Sequence, residues 1–574
     1  MPRPAAAPAP ATPAPTIGAL LSEAMSLLER FDRADLAKAV TGRILAVDPD
    51  NAAALIVGGL CDNKLGNFEA AQAAFEAAIA LVPGDPTPRR LTANLLTELG
   101  RATEAVAELE AARTLFPADA DIAGALGAAY VECGQPELAA AAYRAAAEAD
   151  PAATGPRKSL VLLDMATGAF DEAIGSYREL LALDGQDPAA HLVHAGRFVG
   201  VADWCAGAGA QYRIVAPAGP DLIYPPAYAG EERPAPLPVI RPETYVAVIP
   251  DATVVGGESF VLASDGQILW DIAVRPDARR FDLAERVTRY AQGGVALIDA
   301  AAGSAEPIEA AIALSGVSSF NYFHWLMEFL ARFANLEAAA SDIDLTGLPL
   351  LVDRAVTAVP QLMAALVAVA GPDRAIITIE AGTARRVNRL ILPSQLSWMP
   401  NNLRDGEDLA LTDYYVSAAA IRFLRSRLAA HRVGLDGPGH RRIFLAKASN
   451  RLLNGPELEA GLAELGIESV RPELLGLEQQ IQLFAGAELV VAESGAALTN
   501  LLFCPAGARV VVLVAERWNA GPYSQISGVL GHEMRFVTGT LVERHDKSYQ
   551  SGFTIDPRTL ARALATAAPS EPKA

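Results

Sequence analysis

Four glycines, Gly66, Gly100, Gly134 and Gly168, stand 34 residues apart. The same interval separates Ala37, Ala71, Ala105, Ala139 and Ala173, and again Pro49, Pro83, Pro117 and Pro151. A large residue keeps register with them at Phe75, Leu109, Tyr143 and Tyr177. A chain that repeats several residue types at this interval builds a stack of helix pairs, because one pair alone cannot bury its apolar face. Each residue type has its own part in such a pair. The glycine ends the first helix, where a positive φ is needed. The alanine lets the two helices close on each other. The proline stops the second helix. Five units fill residues 17–190, and the first is degenerate, with Asp32 at the glycine position.

The period is similar to that of the tetratricopeptide repeat. Arrays of this kind offer a concave groove to a peptide or a domain, so a protein partner is expected here. Residues 17–190 hold 13 Lys/Arg against 26 Asp/Glu and so carry −13 of the net charge of −20. That surface argues against nucleic acid, which needs a basic stripe. It keeps the array in solution, and it suits a partner with a basic or polar face.

At 574 residues the chain exceeds what one core supports. Its 51% apolar and 20% charged residues fit a soluble globular protein. No run reaches about 18 uninterrupted apolar residues, so no transmembrane segment is expected. Residues 1–16, rich in Pro and Ala, read as a disordered tail rather than a signal peptide, and cytoplasmic residence follows as the expectation. Cys61, Cys133, Cys205 and Cys504 share no metal-ligand spacing and suit reduced thiols. No metal site and no cofactor is expected.

Residues 191–242 hold many prolines and are read as a linker. Beyond it, short β-rich runs (TYVAVI, ESFVLAS, QILWDIAV) give way to strands alternating with helices. LPLLVD, AIITIE and RLILPS precede a long helix at about 408–431, and RRIFLA, IESVRP, ELVVAE and RVVVLVAE follow it. Such alternation indicates parallel sheets covered on both faces. The expected fold class is therefore α plus α/β. A repeat solenoid precedes two Rossmann-like lobes, 243–407 and 408–545, with a tail over 546–574. Ligands of such lobes bind at the C-terminal ends of strands.

Three segments carry chemistry. The first, FNYFHWLMEFLARF (Phe320–Phe333), is apolar nearly all round, so it is expected to be a buried helix. Its polar exceptions Asn321, His324, Glu328 and Arg332 are spaced to share one face. A structural reading pairs both His324 and Arg332 with Glu328. A functional reading makes the carboxylate or the imidazole a general base for an attacking hydroxyl. In the second, ELVVAESGAALTNLLF (Glu488–Phe503), a strand runs into Glu493, Ser494, Gly495 and Ala496 before a helix. The helix start suits a phosphate, and Glu493 suits sugar or ribose hydroxyls. The third, RRIFLAKASNRLLNGPE (Arg441–Glu457), ends a strand at Lys447 with Arg451 in the following loop. Two cations there suit a diphosphate leaving group. Asn454 and Glu457 read as a helix cap.

Together these segments resemble glycosyltransferase family 61, over residues 243–540. The likeness rests on Asn321 to Glu328 (N-Y-x-H-W-x-x-D/E) and on Lys447, Arg451 and Asn454. It also rests on Pro472, Glu473, Leu475, Gln480 and Ile481, and on Ser494 to Asn500 (H-G-A-x-L-T-N). Ser494 stands where the pattern has His, and Lys447 where it has Arg, which keeps the charge but loses the planar fork. The resemblance implies a GT-B fold and a nucleotide-sugar donor held by the second lobe. It also implies an inverting, metal-independent displacement onto a hydroxyl of a polysaccharide or protein glycan. Glu328 and His324 would be catalytic. Asn321, Lys447, Arg451, Glu493, Ser494, Gly495, Ala496 and Asn500 would bind substrate. The array would dock acceptor or partner. A different class of protein is also open: a repeat scaffold carrying a degenerate transferase that only binds. An oxidoreductase is disfavoured, since no G-x-G-x-x-G follows a strand.

Overall fold

The computed structural model describes residues 16–270, 286–399, 411, 414–431, 440–447, 451–515, 521–543 and 551–566. The expected tail over 1–16 apart from Thr16, which caps the first helix, the start of the expected helix at 408–431 and much of 546–574 therefore lie outside the described residues. The chain divides into two compact units, Met1–Pro188 and Ala189–Ala574.

The first unit is five helix pairs, from Ile17–Glu29 to Phe170–Leu183. Gly66, Gly100, Gly134 and Gly168 all have φ between +66° and +82°, and Asp32 takes the same conformation in the degenerate first repeat. The five alanines are fully buried. At Gly59 a Cβ would lie 2.5 Å from the Phe75 ring, and at Gly127 2.6 Å from the Tyr143 ring. In these two pairs the small residue of the first helix thus makes room for the large residue of the second.

The second unit begins earlier than expected. Residues 191–242 are not a linker. The strand His191–Val199 joins the main sheet between Ile268–Leu269 and Val295–Ala301. Tyr212–Ala216 pairs with Thr244–Val255. The Pro-rich part forms a separate hairpin, Gly219–Ile223 with Leu237–Arg241, where Pro220 and Pro238 are tolerated because both strands are edges. Ala227 and Ala229 then bond Phe536 on the edge of the second sheet.

The main sheet has 11 strands. Its parallel block runs Ile376–Ile379, Leu350–Asp353, Ile308–Leu314, Ala384–Pro393. In chain order that is 3-2-1-4, as in half of a doubly wound fold. The rest is largely antiparallel, starting with Thr244–Val255 beside Ala384–Pro393, so this lobe is a mixed sheet rather than a Rossmann-like lobe throughout. The second sheet is parallel throughout. Its order is Glu468–Val470, Arg441–Leu445, Ala487–Glu493, Arg509–Val514, Glu533–Thr538. This is order 2-1-3-4-5, which reverses between Arg441–Leu445 and Ala487–Glu493.

The two sheets share one core. Ile312, Leu314, Leu350 and Val352 of the first sheet and Leu445, Val490, Ala492 and Val512 of the second belong to one cluster with Trp325, Leu326, Phe329 and Ile421 between them. A layer of helices lies between the sheets, and the all-round apolar segment at 322–339 is part of it. Two lobes were expected; the two sheets are distinct, and one apolar cluster joins them. The chain after the second sheet is not a tail either: Gly552–Thr554 pairs with Thr540–Glu543, and Leu560 and Ala563 of the helix Pro557–Thr566 are buried.

Candidate active site

The site is built at strand ends. Strand Ile308–Leu314 leads through a short loop to Asn321, whose side chain accepts from the Phe323 N–H at 2.9 Å and caps the helix. The segment is not one α-helix. Tyr322–His324 is α, Trp325–Phe329 is a π turn and Leu330–Arg332 is 3-10. A π turn adds a residue to the ring and re-aims side chains, and such turns recur at functional sites. His324 Nδ1 and Glu328 Oε2 are 2.9 Å apart, with both residues buried. Arg332 does not pair with the carboxylate, as the structural reading had it. Its Nε donates to the Glu328 backbone carbonyl at 2.8 Å, and its guanidinium lies over the Phe329 ring. Burial lowers the Arg332 guanidinium to about 10, against the pull of Glu328 and Asp353. Glu328 Oε1 is buried with no hydrogen-bond partner among the described residues. A buried carboxylate oxygen left unpaired is costly.

Asp353, at the end of Leu350–Asp353, was not anticipated. Its carboxylate accepts from the Gly257 and Gly316 N–H groups and from the Ser315 and Ser319 hydroxyls, at 2.6–2.9 Å. It ties the loop after Thr244–Val255 to the loop that leads into the helix carrying His324.

In the second sheet the motif residues converge at the point where strand order reverses. Lys447 Nζ and Arg451 Nη2 both donate to the Ser494 carbonyl, at 3.1 and 2.8 Å. Arg451 also forms an ion pair with buried Glu493. Burial lowers the Lys447 ammonium, Glu493 opposes that and Arg451 adds to it. A Cβ on Gly495 would lie 1.9 Å from Lys447 Nζ, so any other residue there would displace the ammonium. Ala496 opens a 3-10 helix, Ala496–Phe503, whose first N–H groups have no acceptor within the helix. A cavity of about 520 Å³ adjoins this point, lined by Lys447, Glu493, Arg471, Leu452, Glu459 and Glu543 among others. Arg471, one residue past Glu468–Val470, was missed, though a cation at a strand end was the signal that found Lys447.

Asn500 has a different place from the one expected. It is fully buried, accepts from the Tyr322 hydroxyl at 2.8 Å and donates to Gln480 Oε1 at 2.7 Å. It joins the His324 helix to the second sheet's helices. Asn454 sits at the N-cap position, but its side chain makes no capping bond to the helix backbone; its amide donates to Glu457 at 3.4 Å and exchanges hydrogen bonds with the Ile555 backbone. Among the described residues no three His, Cys, Asp or Glu side chains cluster as a metal site, and no helix is long and apolar enough to cross a membrane.

Residues 322–511 match the model of the family described as Glycosyltransferase 61. Residues 62–129 and 120–152 match two tetratricopeptide repeat models. The chain thus carries a glycosyltransferase family 61 domain behind N-terminal tetratricopeptide repeats. No curated protein matches it. Among solved structures it is similar to MamA from Desulfovibrio magneticus RS-1, at 19% identity and TM-score 0.24, over 29% of this chain and 92% of that one. It is also similar to TTC0263, a tetratricopeptide protein of Thermus thermophilus, at 22% identity and TM-score 0.27, over 29% and 91%. A third is PilW, a type IV pilus biogenesis factor, at 22% identity and TM-score 0.27, over 29% and 76%. TM-scores this low carry nothing about partners or function.

Proposed function

We propose that the second unit moves a hexosyl or pentosyl group from a nucleotide sugar to a hydroxyl acceptor, a polysaccharide or protein glycan, by a single inverting displacement without a metal, on a fold of the GT-B type. The family domain supports a glycosyltransferase, which has a donor and an acceptor. The observation that carries the finer reading is the buried His324–Glu328 pair with one carboxylate oxygen unpartnered. Asn500 ties its helix to the segment that follows the Lys447–Arg451–Ser494 cluster.

Glu328 Oε1 takes the proton of the acceptor hydroxyl, and His324 holds Oε2 in place. The acceptor oxygen forms its bond to the anomeric carbon from the face opposite the leaving group. The bond from that carbon to the diphosphate oxygen breaks, and the nucleoside diphosphate departs with the electron pair. Lys447, Arg451 and the amides that open Ala496–Phe503 meet its growing charge. Glu493 and the adjoining cavity take hydroxyls of the nucleoside. Asn321 acts by capping the helix, and Asn500 by holding it. The array docks the acceptor or a protein partner. Residence in the cytoplasm belongs to this reading.

Ser494 in place of His is the feature that favours a scaffold that binds and does not react. Incubation with a panel of nucleotide sugars separates the two. Release of nucleoside diphosphate by the purified protein, lost in Glu328→Gln and His324→Ala, supports the transferase. Binding of donors without any release supports the scaffold.

A further inference from the structure

The cavity beside Lys447 and Glu493 continues across the end of the second sheet. Strand Arg441–Leu445 lies between Glu468–Val470 and Ala487–Glu493, and Val470, Leu445 and Ala492 are level with one another. Arg471 and Glu493 each follow by one residue, so their backbones stand two strand spacings apart, about 10 Å, and both residues line the cavity. The helix Gly455–Glu464 connects Arg441–Leu445 to Glu468–Val470 and runs back along the sheet. Its Leu458 and Leu462 are buried in one apolar cluster with Phe444. Glu459, near the helix start, is half-buried and lines the same cavity, as do Phe444, Leu452 and Pro456. The charges there differ in their partners. Lys447 and Arg451 hold the Ser494 carbonyl, and Arg451 pairs with Glu493. The side chains of Arg471 and Glu459 have no ion pair and no hydrogen bond among the described residues.

We propose that the end of this cavity lined by Arg471 and Glu459 reads guanine, so that the donor is a GDP-linked sugar. The proposal rests on the transferase reading above and names the base which that reading leaves open. A nucleoside diphosphate with its phosphates at Lys447 and Arg451 has its base beyond the ribose, toward Arg471. Guanine carries two donors side by side, the ring N1–H and the N2 amino group, and two acceptors side by side, O6 and N7. A carboxylate takes the donors and a guanidinium fork takes the acceptors, each through two parallel hydrogen bonds. Glu459 is the carboxylate and Arg471 the fork, and the apolar side chains of the lining meet the faces of the ring. Uracil and thymine hold a single N–H between two carbonyl oxygens, which repel a carboxylate. Adenine and cytosine set a bare ring nitrogen beside the amino group, which repels the second carboxylate oxygen. Glu543 also lines the cavity, and a second carboxylate further disfavours a base edged with carbonyl oxygens. The volume of about 520 Å³ is that of a small-molecule site.

The test is calorimetric binding of GDP, IDP, UDP, ADP and dTDP to the full chain, with nucleoside diphosphate release from GDP-, UDP-, ADP- and dTDP-linked sugars measured beside it. IDP is GDP without the N2 amino group. The wild type is expected to bind GDP about tenfold to a hundredfold more tightly than UDP, ADP or dTDP, and about tenfold more tightly than IDP. Glu459→Gln is expected to bring the ratio of GDP to IDP affinity to about one, and Arg471→Gln to weaken GDP and IDP alike by about tenfold. A ratio of two affinities on one sample does not change with the fraction folded, so a less stable variant still reports on the contact. UDP, ADP or dTDP bound as tightly as GDP would overturn the guanine reading, and turnover of the matching donor would leave the transferase reading standing. An unchanged GDP-to-IDP ratio in Glu459→Gln would overturn the part given to Glu459. If the wild type binds none of the five nucleotides and releases none from any donor, the transferase reading falls, and this one with it.

Discussion

In the repeat array the ion pairs Arg33–Asp35, Arg101–Glu104 and Arg113–Glu110 lie on the surface, whereas the second unit buries His324, Glu328, Arg332, Asp353, Glu493 and Asn500. Exposed pairs add little, because water screens them, and the array holds together through alanines and aromatic residues stacked at a fixed interval. Buried ionisable groups are costly unless bonded or used. Asp353 is fully bonded, and it positions loops. Glu328 keeps one oxygen bare, and it is the residue proposed to react. The difference separates a unit with many ion pairs at its surface from one that gathers buried ionisable groups at its strand ends.

Acid is expected to break the two units apart in stability, and this is the largest of the three effects. All seven histidines lie in the second unit. Burial lowers the His532 imidazole to about 4 from its ordinary 6.5. Folding therefore favours its neutral form. That stability is fully present above pH 6.5 and is lost as the pH falls toward 4, by about 3 kcal/mol in all. In the array, burial raises the Asp164 carboxyl, while Arg33 and Arg101 lower the exposed Asp35 and Glu104, so acidification acts in both directions there. Calorimetry of the full chain from about pH 7 to about pH 4.5 should show the transition of the second unit moving down while that of the array does not. A parallel fall of both would contradict the contrast.

Removing residues 1–188 is expected to leave donor hydrolysis unchanged and to slow transfer to the natural acceptor about a hundredfold, as loss of a docking site does. Equal loss of both rates would mean that the array supports the fold of the second unit instead.

Two glycines sharpen the contrast on the smallest scale. Gly168 has φ +82°, where alanine is strained, so Gly168→Ala should cost the array about 1 kcal/mol and leave donor turnover untouched. Gly495 is extended, and its constraint is the Lys447 ammonium in the space of a Cβ. Gly495→Ala should displace that flexible side chain, leave the melting temperature nearly unchanged and lower donor turnover about tenfold.

Much of this was legible in the sequence for particular reasons. The array was, because Gly66, Ala71 and Phe75 recur with one period and each has one structural role. The alternation after residue 300 was, because β-rich runs and helices differ in length and residue type. The His324–Glu328 pair was, because four residues separate them and an α-helix or a single widened turn still brings them together. The π turn at Trp325–Phe329 was not, since no residue there marks a change of hydrogen-bond ring. The hairpin at 219–241 was hidden because prolines read as a linker, although edge strands accept them. The shared core was hidden because periodicity shows that the Trp325 segment is buried and not which two sheets bury it. Asn500 looked like a ligand contact because it ends a motif; its partners Tyr322 and Gln480 come from distant segments that only the fold brings together.

The most direct test of the central claim is nucleoside diphosphate release by the intact protein from a panel of nucleotide sugars, with wild type and Glu328→Gln side by side at matched folding. Release from at least one donor, slowed about a thousandfold by Glu328→Gln, is the predicted result. Equal rates in the two proteins would contradict it.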